Sequence, residues 1–566
     1  MFRTGGERRF PDVDTPADWD GILDNAGGSD PLAVYRIARF QTRSTDDNAG
    51  SAFLTYDNYR HYIDYFNQME PEGIVQAIPN CAAWDWMKEN VPLFDCPQQN
   101  FERTYWYRWW TLRKHLRKTD DDKYCMTEFL VKRNYADKYN LIASGVGHHI
   151  HESRWLRNPM YLDQVVETWY RGNNGQPMKK LHNFSSWIAA SLWNRYLVDG
   201  RQEWITQMLP DLCDEYEYWN TTHRWIENGQ RTLFWQADVQ DAMEESISGG
   251  RKKQYARPSI NSYMYGNARA ISNIAALKGD LDLSRCYNQR ADTIRSLVES
   301  RLWNHRHQFF ETLRKDSSSN VREAIGFLPW YVNLPSNDKR YEQAWAQASD
   351  PQGFSAPYGQ TTAERRHPQF RTHGVGKCEW DGAVWPFATS QTLTAMANYL
   401  NNEPRTTSES STTSDSRTSS ESRASRASSI INDSVYFAEL EKYVESQSMR
   451  GRPYIGEYLD ETTGYWLKGD QERSKYYNHS TFCDLIITGL VGLRPRLDNV
   501  VEVNPLLPDG KWDWFCLDRV RYHGHDLTIL WDKDGSKYHA GKGLQIYVDG
   551  KLKGQRNTLG RLTCAL

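Results

Sequence analysis

The cysteines never come close together. Nine are present, each isolated, at positions 81, 96, 125, 213, 286, 378, 483, 516 and 564. Without a CxxC pair, neither a zinc ribbon nor a thioredoxin-type redox pair is indicated. An odd, scattered set fits reduced and mostly buried thiols. An excess of either charge is missing too. The 69 Lys and Arg against 72 Asp and Glu leave a net charge of -3, which offers nothing to nucleic acid or to an anionic membrane surface. No apolar run approaches the roughly 18 residues of a membrane span. The opening residues MFRTGGERRFPDVD lack the apolar core of a secretory signal, so an intracellular location is expected, and a secreted one if the true N-terminus lies upstream. A fixed-period repeat is also absent, which argues against a solenoid.

Aromatic residues are what the chain has in abundance. It carries 23 Trp and 33 Tyr, and both offer a flat apolar face with one hydrogen-bonding handle, the combination that suits a sugar ring. The plain alternative is the Trp-rich core of a helical protein.

At 566 residues the chain has room for two to four average domains, or one large catalytic domain with additions. Residues 1–50 read as a polar lead-in with one helix around Pro31–Phe40. From 51 to 495 the pattern is helical. The stretch FERTYWYRWWTLRKHLRK reads as an amphipathic helix. Further helices are predicted over Pro159–Tyr170, Asn183–Leu197, Trp204–Thr221, Ser259–Leu277, Ser284–Trp303, Trp385–Leu400, Asp433–Glu445 and Ser480–Leu490. Short and long connections alternate, so a mainly α helical toroid is expected, with long loops building a site on one face. The Ser/Thr-rich insert at 404–430 cannot bury a core and is expected to be a disordered surface loop. Residues 496–566 read as a small β appendage, with strands at Val500–Asn504, Leu527–Trp531 and Gly543–Val548.

Four segments hold polar and aromatic residues more densely than folding requires. Leu233–Gly250 (LFWQADVQDAMEESISGG) sets Asp238, Asp241, Glu244 and Glu245 among Phe234, Trp235 and Met243. Apolar walls raise a carboxyl pKa and so suit acid chemistry; a helix start favouring acids is the plain alternative. Gly145–Arg157 (GVGHHIHESRWLR) offers His148, His149, His151, Glu152 and Arg154. Its spacing is not that of a zincin, and no metal is expected there; sugar hydroxyls or an internal hydrogen-bonded loop are the two readings. Gly376–Gln391 carries Glu379, Trp380, Asp381 and Trp385 before a helix, and Tyr454–Tyr477 carries Glu457, Asp460 and Glu461. A glycosidase needs two carboxyl groups flanking the scissile bond, one to protonate the leaving oxygen and one to activate water or attack carbon.

FWQADVQDAMEESISGG resembles the acid segment of six-hairpin glycosidases such as trehalases and family 63 glucosidases. CEWDGAVWP is similar to their W-x-G-P-x-W motif, and GEYLDETTG to the segment that bears their base. The longer pattern, with IPNCAAWDWMKENVPLFDCP, GHHIHESRWLR and RPSINSYMYGNARAI, resembles the mannosylglycerate-hydrolase-like domain of glycoside hydrolase family 142-type proteins, which include β-L-arabinofuranosidases. The resemblance runs from about Tyr56 to Pro495. It implies an (α/α)6 barrel and an exo-acting glycosidase, with Glu244 as general acid, Glu457 as base and inversion as the outcome. Retention, with Glu457 as nucleophile, is the alternative. Two departures stand out: Glu244 occupies the place where trehalase-like enzymes carry Asp, and the insert at 404–430 is foreign. Asp241 therefore stays a rival acid. Under this reading Asp238, Asp241, Glu379, Asp381, His149, His151, Glu152 and Arg154 hold hydroxyls, and Trp235, Trp380, Trp385 and Tyr263 line the pocket. The partner is a carbohydrate, and no cofactor is called for. A polysaccharide lyase using Tyr263 or the His cluster, and a sugar-binding protein without turnover, are the alternatives.

Overall fold

The computed structural model describes residues 53–401 and 430–566. The lead-in helix and nearly all of the 404–430 insert lie outside the described residues.

Helices dominate the first part of the chain, and neighbour packs on neighbour until the ring closes. The helix Gln99–Lys114 meets the one-turn helix Cys483–Leu485. Val146–Ser153 follows, then Ile188–Asp199, Pro258–Lys278, Leu328–Tyr331 and Pro386–Asn401. Asp433–Ser446 leads back to Gln99–Lys114. This is the mainly helical toroid read from the sequence. Helices of the ring are buried nearly all round because both faces meet protein. Gln99–Lys114 shows this best: from Phe101 to Lys114 every residue except Arg103 is buried. It is therefore not amphipathic as its sequence suggested. Its charged side chains are satisfied inside, Arg108 donating to Tyr443, Gln447 and Ser480.

Several expected helices differ in extent, among them Ser480–Leu490, which starts at Cys483 and continues as a π-helix over Ile486–Leu490. The segment 204–221 is two helices, Gln202–Gln207 and Leu209–Thr222, parted at Met208, two residues before Pro210 at the second helix's start. Proline is tolerated there because its missing N–H has no intrahelical partner to lose. The helix expected from Asn183 begins only at Ile188, because Ser185 N–H is drawn out to the carbonyl of Gln240. The pair Pro258–Lys278 and Leu281–Arg301 turns on Gly279, whose φ of +85° suits a residue without Cβ.

The C-terminal β layer is larger than expected. Its main sheet pairs Trp514–Tyr522, His525–Asp532, Gly543–Val548 and Lys551–Arg556 in order. A strand from the helical region, Leu93–Asp95, is hydrogen-bonded to its edge, so the layer is stitched to the toroid. A second sheet matters more for function. In it Gln230–Gln236 pairs with Tyr255–Ala256, fixing both ends of the excursion 237–254.

Candidate active site

Leu233–Gly250 leaves a strand and becomes a loop, not a helix start. Ala242 and Glu245 both take left-handed backbone, with φ of +59° and +65°. Such conformations cost on the order of 1–3 kcal/mol each for residues with a Cβ and collect where function demands a fixed geometry. Glu244 lies between them. Glu245 is clamped: Arg251 donates to its Oε1 twice, at 2.9 and 2.6 Å, Lys377 lies 3.8 Å away, and His373 Nδ1 is 3.2 Å from its carbonyl oxygen.

Extended segments from distant parts of the chain lie alongside one another next to this loop. Asn478 N–H donates to the carbonyl of Glu128, and Tyr477 N–H to that of Ile455. Glu128 and Glu457 are thereby held on either side of residues 477–478. Leu459 pairs with Val384, which brings in the Trp380–Trp385 segment. Trp385 stacks between Trp380 and Tyr458, with ring centroids 4.6 Å apart on each side.

Glu244, Glu457 and Glu128 are within electrostatic reach of one another. Glu244 is half-buried. Burial, with help from the charges of Glu457, Glu128 and Asp238, raises its carboxyl from 4.5 to about 7. Its side chain makes no hydrogen bond or ion pair to another of the described residues. Glu457 is the opposite: buried, it is paired with Arg473 at 2.9 Å and Lys468 at 3.5 Å. Glu128 is raised from 4.5 to about 7 by burial, with Glu457 adding to it. It accepts from Tyr477 through Oε1 and from Ser144 through Oε2, both at 2.6 Å. One partly exposed carboxyl held protonated near neutrality, beside an ion-paired carboxylate, is the asymmetry that acid–base chemistry uses.

Asp241, the rival acid, is fully buried, 2.8 Å from Arg257 Nε, and it also accepts from Ser259. Its Oδ2 is thus already engaged inside the protein. It braces the loop from behind, where a small cavity is lined by Met243, Ser246, Arg257, Glu323, Trp380 and Gln391. Asp238 packs its carboxyl against Gly249 and accepts from Val239 N–H.

The polar groups of Gly145–Arg157 are turned to a different use from the expected hold on sugar hydroxyls. Glu152 accepts from the backbone N–H groups of Phe482, Cys483 and Asp484. Arg154 donates twice to Asp484, and His151 lies 3.8 Å from the same carboxylate. His149 Nε2 is 2.7 Å from the carbonyl oxygen of Asn478. The physical reason is the helix start at Cys483, whose unpaired N–H groups need an acceptor. Tyr263 is likewise interior: it stacks on Trp187 and its hydroxyl accepts from Gln391. Asp381 accepts from the N–H groups of His373 and Gly374, and Glu379 pairs with Arg371 at 2.7 Å. Trp235 alternates with buried Phe234 and Gln236 on its strand and stacks on His223, 4.5 Å away. Among the described residues, no group of three or more His, Cys, Asp and Glu is arranged to hold a metal ion.

Sequence reasoning missed Glu128, Arg473 and Lys468. Glu128 closes the stretch YWYRWWTLRKHLRKTDDDKYCMTEF, which resembles the family domain without singling this residue out, and only the fold brings it to Glu457. Arg473 and Lys468 fell inside the fourth segment but carried no signal beyond ordinary surface charge.

Comparison with known proteins places this geometry. Residues 138–480 match the mannosylglycerate hydrolase MGH1-like glycoside hydrolase domain. Residues 493–553 match the C-terminal domain of glycosyl hydrolase family 65. A solved structure called a sialidase is 60% identical over 99% of this chain, with a TM-score of 0.85, and the chain covers 49% of that protein. An uncharacterized protein of Borreliella burgdorferi is 27% identical over 203 residues, which is 35% of this chain and 40% of the relative. The chain thus spans less than half the length of either. The mannosylglycerate hydrolase of Thermus thermophilus, solved with glucose, is 12% identical over 67% of this chain and 98% of its own, with a TM-score of 0.47. The MGH1-like match takes in more than half of the residues, Glu244 and Glu457 among them, and the chain belongs to the mannosylglycerate hydrolase MGH1-like glycoside hydrolases.

Proposed function

We propose that the protein is an exo-acting glycosidase that removes a terminal sugar from an oligosaccharide or glycan end. Glu244 protonates the glycosidic oxygen as the bond breaks. Glu457 takes a proton from the attacking water, giving inversion at the anomeric carbon. The observation that carries this reading is the contrast between the two carboxyls. Glu244 is raised to about 7 with no side-chain partner among the described residues, whereas Glu457 is held by Arg473 and Lys468. A protonated donor facing a charged acceptor is what the two half-reactions need.

The name sialidase belongs to a protein of which about half lies outside the match, so its activity is not carried over. The lyase reading loses support because Tyr263 and the His149–His151 region, its candidate bases, are buried and bonded to the chain.

The test is release of p-nitrophenol from a panel of aryl glycosides that includes β-L-arabinofuranoside, with wild type beside Glu244→Gln and Glu457→Gln. Turnover on one sugar, falling by on the order of 100-fold or more in both variants, is the expected result. Proton NMR of the first-formed sugar distinguishes inversion from retention. Full activity in Glu244→Gln would sink the assignment of the acid.

A further inference from the structure

A short excursion of the chain, Arg371–Asp381, takes no part in the two-carboxylate scheme, yet it touches both of the segments that carry it. Arg371 N–H donates to the carbonyl of Asp381 and closes its base. The Asp381 carboxylate accepts from His373 N–H and Gly374 N–H, at 2.6 and 2.8 Å, and holds the turn from inside. Gly376 passes through a φ of +74°, and Lys377 N–H donates back to the carbonyl of Gly374. The excursion is therefore bonded to itself and keeps its shape.

On one side it meets the loop of Glu244. His373 Nδ1 is 3.2 Å from the carbonyl oxygen of Glu245, and Lys377 Nζ is 3.8 Å from the Glu245 carboxylate. A Cβ on Gly374 would come 3.1 Å from that of Glu245, so glycine is what permits the close approach. On the other side it meets the segment of Glu457. The Tyr458 hydroxyl donates to the carbonyl of Lys377. Arg371 pairs with Glu461 at 2.6 Å. Lys468 Nζ donates to Cys378 Sγ at 3.6 Å. The same ammonium lies 3.5 Å from Glu457 Oε2 and 4.9 Å from the centre of the Tyr458 ring. The bonded pairs 245–373, 377–458 and 378–468 are 128, 81 and 90 residues apart in the chain, so only this excursion's fold brings them together.

We propose that Arg371–Asp381 is a strap that sets the spacing of Glu244 from Glu457, with His373 and Lys468 as the positioning residues at its two ends. The proposal rests on the reading of those carboxyls as acid and base. Their separation decides whether a water fits between carboxylate and sugar, and a misplacement of about 1 Å can cost on the order of 100-fold in rate. Lys468 is not needed for charge alone. Arg473 already meets the same Glu457 oxygen, and more closely, at 2.9 Å. What Lys468 adds is the link to Cys378. Nor does the strap serve the core: Thr372, His373, Gly376 and Lys377 are exposed, and Val375 is 55% exposed. A stretch kept only for stability would bury its one branched apolar side chain.

The experiment reads one end of the strap while the other is cut. The full chain is treated with iodoacetamide, and the alkylation rate of Cys378 is followed by peptide mass spectrometry in wild type, His373→Ala and His373→Asn. His373 is exposed, so the variants should fold. In His373→Ala the Cys378 rate should rise by about threefold or more, because the released strap opens locally more often. In His373→Asn, whose amide can take the place of Nδ1 as donor, the rate should return towards that of wild type. The exposed Cys81 and Cys286 should react alike in all three. A Cys378 rate unchanged in His373→Ala overturns the proposal, since the two ends would then move independently. This readout needs no substrate, so a silent glycoside panel would sink the glycosidase reading and leave the tie between the two segments standing on its own result. With a substrate, His373→Ala and Lys468→Met should each lower kcat by about tenfold with KM little changed, and His373→Asn and Lys468→Arg should recover most of it. Wild-type kcat in both His373→Ala and Lys468→Met would equally overturn the strap as a device for spacing the carboxyls.

Discussion

Leu233–Gly250 and Gly145–Arg157 look alike as sequence: each packs acids or histidines among large apolar side chains. In the fold they part company. The first carries Glu244, partly exposed and with no side-chain partner among the described residues, on a loop bent through left-handed backbone at Ala242 and Glu245. The second spends Glu152, Arg154 and His149 on the chain itself, holding residues 478–484 in place. Density of polar residues therefore says that a segment is important but not how. What separates the proposed proton donor from a structural acid is whether its hydrogen-bonding capacity is already taken.

The largest effect should come from changing one carboxyl in each region. Glu244→Gln should lower kcat/KM by about 10²–10⁴-fold with no loss of thermal stability. Glu152→Ala should do the reverse. It strands the N–H groups of 482–484, which should unfold the protein at lower temperature while the folded fraction retains its turnover. Kinetics and calorimetry on the same preparations check both. A Glu152→Ala enzyme that is fully stable and dead would break the comparison by moving Glu152 into the chemistry.

Next in size is Arg154→Met. Asp484 is buried, which alone would raise its pKa, but Arg154, His151 and Trp155 hold it well below the ordinary carboxylate range. Removing the guanidinium leaves a buried carboxylate without its main partner, a loss of about 3–5 kcal/mol. Denaturant unfolding measures it. The same substitution made on a merely exposed pair would cost a fraction of this.

His149 of the second region and the buried Glu128 should also answer pH with opposite signs. Burial lowers His149 from 6.5 to about 4, so below pH 6.5 the unfolded chain binds more protons and stability falls as pH falls. Burial raises Glu128 from 4.5 to about 7. Its contribution is complete below pH 4.5 and is lost as pH rises towards and through 7. Each is worth about 3 kcal/mol if taken alone. Unfolding free energy measured across this range should flatten on the acid side in His149→Gln and on the alkaline side in Glu128→Gln. Identical slopes in wild type and variants would show that neither group is linked to folding.

How much of this was legible beforehand follows from the range of the interactions involved. The helix pair Pro258–Lys278 and Leu281–Arg301 was readable because its apolar period and the glycine between the two helices are local signals. Glu244 was readable because its apolar neighbours are adjacent in sequence. Glu128 was not, since the partner that defines it, Tyr477, is 349 residues away and its sequence neighbours, though part of a family-like stretch, do not single it out. The same limit explains Gln99–Lys114. Its charged residues read as a solvent face, but Arg108 meets partners more than 300 residues distant, and no local pattern can report them. The bend that splits residues 204–221 sat in plain view at Pro210, and its position within the first turn is a local rule that applies there.

The smallest effect sharpens the comparison within the loop that carries Glu244. Arg251 is 57% exposed where it holds Glu245, so solvent screens the pair, and its loss should cost only about 0.2–1 kcal/mol of stability. The pair nonetheless fixes the residue beside Glu244. Arg251→Ala should therefore lower kcat by about two- to fivefold with KM little changed, the mark of a donor held less firmly rather than a substrate held less well. Salt offers an independent handle, because an exposed pair weakens as ionic strength rises while the buried pair of Asp241 and Arg257 does not. Wild type in high salt should approach the variant's kcat, and the variant should respond little. If the two keep the same ratio at every ionic strength, the Arg251 side chain acts through packing, and the loop is held by its left-handed backbone and the Asp241 brace alone.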